Sequence, residues 1–95
     1  MMPKYVIQRN IPDIGLADAE QLREAATKSN VVLAQMQAEH KNIQWDHSYV
    51  TGDKTFCVYI SENEELIYEH SERSGFPANV VTKVNTVIDP TTAEE

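Results

Sequence analysis

The sequence predicts an α+β sandwich whose elements run β-α-β-β-α-β. Three observations carry that prediction. Two stretches show helical spacing of apolar residues, two alternating stretches lie between them around Thr51-Gly52-Asp53, and a β-rich segment stands near each end. Elements in that order give the split-βαβ arrangement, a four-stranded antiparallel sheet with both helices on one face.

Lys4 to Arg9 (KYVIQR) is short and β-rich, and Pro12, just after Asn10 and Ile11, ends ladder pairing. Asp13 to Gly15 is loop. Asp18 is the expected N-cap of the first helix, with Gln21 three residues later completing a capping box. Leu22, Ala25, Ala26, Ser29, Val32, Leu33 and Met36 then recur at three- and four-residue spacing. They make an amphipathic helix of about five turns, which exits near Asn42 and Ile43.

Ile43 to Val50 and Lys54 to Ile60 are the two strands of a hairpin. Ser61 is the expected cap of the second helix, with Glu64 reaching back to it, and Glu62, Glu64 and Glu65 suit the positive end of the helix dipole. Gly75 is the expected C-cap after Ser74, with Pro77 just beyond it. Val80 to Ile88 is the last strand. Residues 1–90 thus read as one ferredoxin-like domain and 91–95 as a mobile polar tail.

Ninety-five residues allow one hydrophobic core, and 41% apolar with 24% charged residues is a globular composition. A formal net charge of -7, with no Lys/Arg run, argues against nucleic acid and anionic membrane surfaces as partners. The single cysteine, Cys57, cannot form an intramolecular disulfide, so nothing requires an oxidising compartment. MMPKYVIQRN lacks the apolar core of a signal peptide, and no run approaches the roughly 18 apolar residues of a membrane span. A cytoplasmic location is the expectation.

Two helices cover one face of such a sheet and leave the other bare. Both faces receive apolar side chains whichever parity is inward: Tyr5 and Ile7 against Val6, Phe56 and Val58 against Cys57 and Tyr59. An apolar open face marks a partner surface, and a homodimer through paired sheets is the simplest way to bury it.

At 100° per residue, Leu66, Ile67 and Ser74 fall on one side of the second helix with His70 at the centre, so His70 is predicted to face the sheet. A buried imidazole without a partner costs about 1–3 kcal/mol, so it calls for a hydrogen bond or a metal. In a regular strand His47 and Tyr49 share a face with Ile43 and Trp45. A two-residue turn sets His47 opposite Val58, puts Cys57 on the other face, and allows His47 to lie beneath His70. A three-residue turn sets Tyr49 opposite Cys57 and His47 opposite Tyr59. One residue of register decides between them.

Histidines, one thiol and nearby carboxylates suit a borderline ion such as Ni²⁺, Zn²⁺ or Cu²⁺, although the spacing 47/57/70 matches no compact metal motif. His40 is predicted exposed. A nucleophilic Cys–His pair is disfavoured, because Cys57 lies mid-strand, away from the helix N-termini and cations that lower a thiol pKa. The three isolated glycines make no phosphate loop.

HSYVTGDKTFCVYISENEELIYEHSERSGFPANVV, with the opening MPKYVIQRNIP and the closing VIDPTTAE, resembles a family of small bacterial proteins known as domain of unknown function 4242. The resemblance covers nearly the whole chain. It implies the same ferredoxin-like fold, and the family includes nickel-binding, nickel-responsive dimeric members. By that similarity His47, Cys57 and His70 are the candidate metal ligands. At Gln8 the family pattern commonly has a glutamate, so an amide here removes an anionic ligand or base.

Two functions are therefore expected. One is a homodimer that holds nickel or another divalent transition metal through histidines, for sequestration or response, without turnover. The alternative is a small enzyme or organic-ligand binder whose pocket near His70 is lined by Tyr49 and Tyr59.

Overall fold

A computed structural model describes residues 2–94; Met1 and Glu95, the ends of the predicted domain and predicted tail, lie outside the described residues. The elements are β1 (Lys4–Asn10), α1 (Ala19–Ala38), β2 (Ile43–Val50), β3 (Lys54–Ser61), α2 (Glu64–Ser74) and β4 (Val80–Lys83), with 3-10 turns at Ile14–Leu16 and Pro90–Glu94. The strands lie in the order β2-β3-β1-β4, every neighbouring pair antiparallel. This is the predicted ferredoxin-like arrangement.

The capping box that opens α1 forms in both directions, Gln21 N–H donating to Asp18 Oδ1 and Asp18 N–H to Gln21 Oε1. The helix ends at Ala38, two residues past the last apolar position at Met36 and a little before the exit expected near Asn42, in a Schellman turn. Lys41 N–H donates to Met36 O, His40 N–H donates to Gln37 O, and His40 takes a left-handed φ of 64°. The cap of α2 is Asn63 rather than Ser61, its side chain accepting from Leu66 N–H. Ser61 stays in β3, paired with Ile43 and fully buried, and its hydroxyl donates to Asn63 O. Gly75 ends α2 at φ 81°, as predicted.

β4 is shorter than the apolar run from Val80 to Ile88 implies. Among the described residues its only neighbour is β1, and Val84 N–H already reaches Lys4 O, at the first residue of that strand. Beyond it no strand of the described residues remains to pair with, and Val87 and Ile88 are exposed. Asp89 then opens the terminal 3-10 turn, its carboxylate accepting from Thr91 N–H.

The hairpin uses the two-residue turn, with Thr51 N–H donating to Lys54 O and His47 opposite Val58. The register shifts between Trp45 and His47, leaving Asp46 as a bulge. Trp45 Nε1–H spans the bulge to Ser48 Oγ at 2.9 Å. An extra residue inverts the alternation. Ile43 and Trp45 therefore face the helices, whereas His47 and Tyr49 face the open side. The sequence reading, which kept all four on one face and allowed His47 beneath His70, is corrected by that bulge.

The core between helices and sheet joins Ile7, Val32, Leu33, Met36, Ile43, Tyr59 and Ile67, among others. At the ends of the helices, Glu39 and Glu69 form a four-membered ion-pair network with Lys41 and Arg73. The Arg73 hydrogen bond, followed by that of Lys41, holds the Glu39 carboxyl down at about 2.

The β1–α1 loop fixes the hairpin tip: Ile11 N–H donates to Asp53 O at 3.0 Å and Gly15 N–H to Gly52 O at 3.1 Å. A Cβ at Gly15 would sit 2.8 Å from Gly52 Cα and Thr51 O. Gly15→Ala therefore destabilises by about 1–3 kcal/mol, read as a lower urea midpoint. His40→Gly acts in the opposite direction, because the left-handed position carries a side-chain penalty that glycine lacks. A gain of about 0.5–1 kcal/mol is expected in the same assay.

Candidate functional site

The sheet separates two polar clusters. On the open face, β2 carries Asp46, His47 and Tyr49 at its bulge. Asp46 Oδ2 engages His47 Nδ1, and His47 Nε2 lies 3.2 Å from the Tyr49 hydroxyl. The His47 and Tyr49 rings meet edge to face with centroids 5.0 Å apart. The His47 and Asp46 side chains are about half exposed. Around them the register places Val58 and Phe56 of β3, and beyond those Val6 and Gln8 of β1. Carboxylate, imidazole and phenol thus form a short chain beside an apolar surface.

The second cluster lies beneath the helices. His70 is fully buried on α2, as its helical position predicts, and Ser29 of α1 lies 3.2 Å from its Nε2. Nδ1 has no partner. Burial, reinforced by the Arg9 charge, depresses the imidazole pKa to about 4, although a hydrogen bond with Ser29 pulls the other way. The Tyr59 ring packs 5.3 Å from that of His70, and burial raises its phenol pKa against the opposing pull of Arg9. Cys57 is buried on the same face, its thiol 3.4 Å from Thr55 Oγ1.

Of the three expected metal ligands, Cys57 and His70 share the helix side and His47 lies on the other. They do not converge within one chain, and among the described residues no three His, Cys, Asp or Glu side chains gather as a metal group. The two tyrosines expected to line one pocket are likewise divided, Tyr49 being 61% exposed and Tyr59 2%. Two shallow depressions, of about 350 and 390 Å³, lie over Glu20–Lys28 and over Ile11–Gln21, away from His70.

Two participants escaped the sequence reading. Asp46 was hidden because a bulge without glycine leaves no local signal. Arg9 was legible: it shares parity with Tyr5 and Ile7 on β1, and that parity places it inward.

The chain is thus a ferredoxin-like sandwich that carries a carboxylate-held histidine on its bare sheet face. The family model described as nickel responsive protein SCO4226-like matches residues 5–84, and the chain belongs to that family. The expected kinship with small nickel-responsive proteins is met, under this description in place of domain of unknown function 4242. The fold is similar to the crystal structure of SCO4226 from Streptomyces coelicolor A3(2), with a TM-score of 0.72 over 90% of this chain and 99% of that one, at 15% identity. No curated protein matches the chain. Among the described residues no helix is long and apolar enough to cross a membrane.

The depressed His70 pKa fixes a sign. The unfolded state, with histidine near 6.5, binds the proton that the folded state refuses, so the stabilisation is full above about 6.5 and fades as pH falls toward 4. Urea unfolding of the parent and His70→Gln across pH 7 to 4 should show a steeper acid loss in the parent, approaching about 3 kcal/mol. Equal slopes would remove the titration from His70.

Proposed function

We propose that this chain is a small binding protein for a divalent transition metal, nickel foremost, without catalytic turnover. The observation that carries this reading is the Asp46–His47 pair. A carboxylate on Nδ1 fixes the tautomer that leaves the lone pair on Nε2, beside the Tyr49 hydroxyl, which is how metal-ligating histidines are commonly held. Family membership supports nickel, and a borderline ion accepts imidazole together with oxygen donors.

The residues of a single chain fit such an ion only in part. Asp46, His47 and Tyr49 offer one imidazole and neighbouring oxygens, while Cys57 and His70 lie across the sheet and pack the core. A second copy docked sheet to sheet would supply further donors, because an isologous contact brings the same residues from both chains. The half-exposed Val6, Phe56, Val58 and Ile60 form the apolar area that such a homodimer covers.

Calorimetric titration of the metal-stripped protein with Ni²⁺ and Zn²⁺ tests the reading, with sedimentation velocity for the dimer. Saturable binding is expected, lost in His47→Ala, weakened about 10–100-fold in Asp46→Asn and unchanged in Cys57→Ser. Acidification weakens it, since only neutral imidazole ligates. No saturable binding in the parent overturns the proposal.

A further inference from the structure

Arg9 is a cation in the protein interior without an anion. It is 3% exposed, and among the described residues no carboxylate forms an ion pair with it. The chain has 15 acidic residues, and none of the described ones pairs with it. Taking a guanidinium out of water is costly, and buried arginines are ordinarily paired.

The hydrogen bonding of its two terminal nitrogens is lopsided. Nη1 donates to Pro77 O at 2.8 Å and Ser71 Oγ at 3.0 Å, with Phe76 O at 3.5 Å. Nη2, fully buried, has no hydrogen-bond partner among the described residues. The Tyr59 and Phe76 rings lie 5.8 and 6.0 Å from Cζ, at the outer reach of a cation–π contact, which softens the charge without neutralising it. The other unpartnered buried atom, His70 Nδ1, belongs to the ring on the far part of the same cluster, 5.3 Å from that of Tyr59.

We infer that Arg9 Nη2 anchors a small organic monocarboxylate beneath the connection between α2 and β4. One uncompensated positive charge matches one negative charge, and the planar N–H edge of a guanidinium suits a carboxylate. The Tyr59 and Phe76 rings would flank the carbon part of the ligand. Entry would require Gly75–Asn79 to move aside, a segment that has no helix or strand of its own and covers Arg9 through Phe76 and the two carbonyls on Nη1. Lys28 Nζ, 5.3 Å from the Phe76 ring, adds a second positive charge at that cover. This site lies on the opposite side of the sheet from His47 and is independent of the nickel reading.

His70 is the reporter. The groups facing it are Arg9 from β1, Tyr59 from β3 and Ser29 from α1, so an anion at Nη2 offsets the fixed charge among them. NMR of the His70 ring in the intact protein, titrated with sodium acetate at ionic strength held by sodium chloride, tests this. The expected result is a saturable shift, half-complete at a concentration on the order of 1 mM, with the imidazole titrating at higher pH in acetate. Arg9→Met, which keeps an unbranched apolar stem, should abolish that shift. If this variant does not fold, the parent titration decides alone. A linear or absent response to acetate overturns the assignment. So does an equal saturable response to chloride, which would make Arg9 a site for any monoanion.

Discussion

The pairing of β2 on β3, interrupted at Asp46, is the constraint on which the surface chemistry depends. Side chains alternate across a strand, so a single extra residue exchanges the faces on either side of it. Ile43 and Trp45 are thereby given to the core, and His47 and Tyr49 to the open face. The turn at Gly52-Asp53 could not do this alone. It sets the register of one half of the hairpin, while the bulge resets the other half so that its apolar residues remain buried. Trp45 reaching across to Ser48 closes the irregularity with a hydrogen bond rather than leaving an indole N–H unpaired.

That exchange sorts the polar groups by the environment each can tolerate. His47, half exposed, keeps a carboxylate at one nitrogen and a phenol at the other. His70, fully buried, has a serine at one nitrogen and nothing at the other, and its surroundings favour the neutral ring. Two imidazoles of one chain thus have opposite characters, one a solvent-facing donor and the other a neutral core group beside a cation. The same sheet that separates them also prevents any metal site from using both within one chain.

The interior of this domain is more polar than its size suggests. Arg9, Ser29, Thr55, His70, Ser71 and Ser74 are all buried beside the apolar core. Most of these groups satisfy one another or the backbone, and the Arg9 contacts with Ser71, Phe76 and Pro77 join β1 to the end of α2 and the connection after it. Such a layer specifies how the helices sit on the sheet, since an apolar interface of the same shape would tolerate sliding. Its two unpartnered nitrogens are the places where this specification is incomplete.

Element order, the capping box of α1, the glycine that ends α2 and the inward face of α2 were legible in the sequence because they follow from local patterns. Asp18 with Gln21, Gly75 after Ser74, and His70 among Leu66, Ile67 and Ser74 each depend on residues within one or two turns. The end of β4, the cap of α2 and the face of His47 were not, because each is settled by a distant partner. β4 stops where β1 begins, Ser61 is claimed by Ile43, and His47 is turned outward by a bulge that keeps Trp45 packed on the other side of the sheet. The charge of Arg9 was visible from the start, and its inward position followed from parity. That it stands there without a counter-ion was decided only by packing, because the absence of a neighbour is a property of the whole fold.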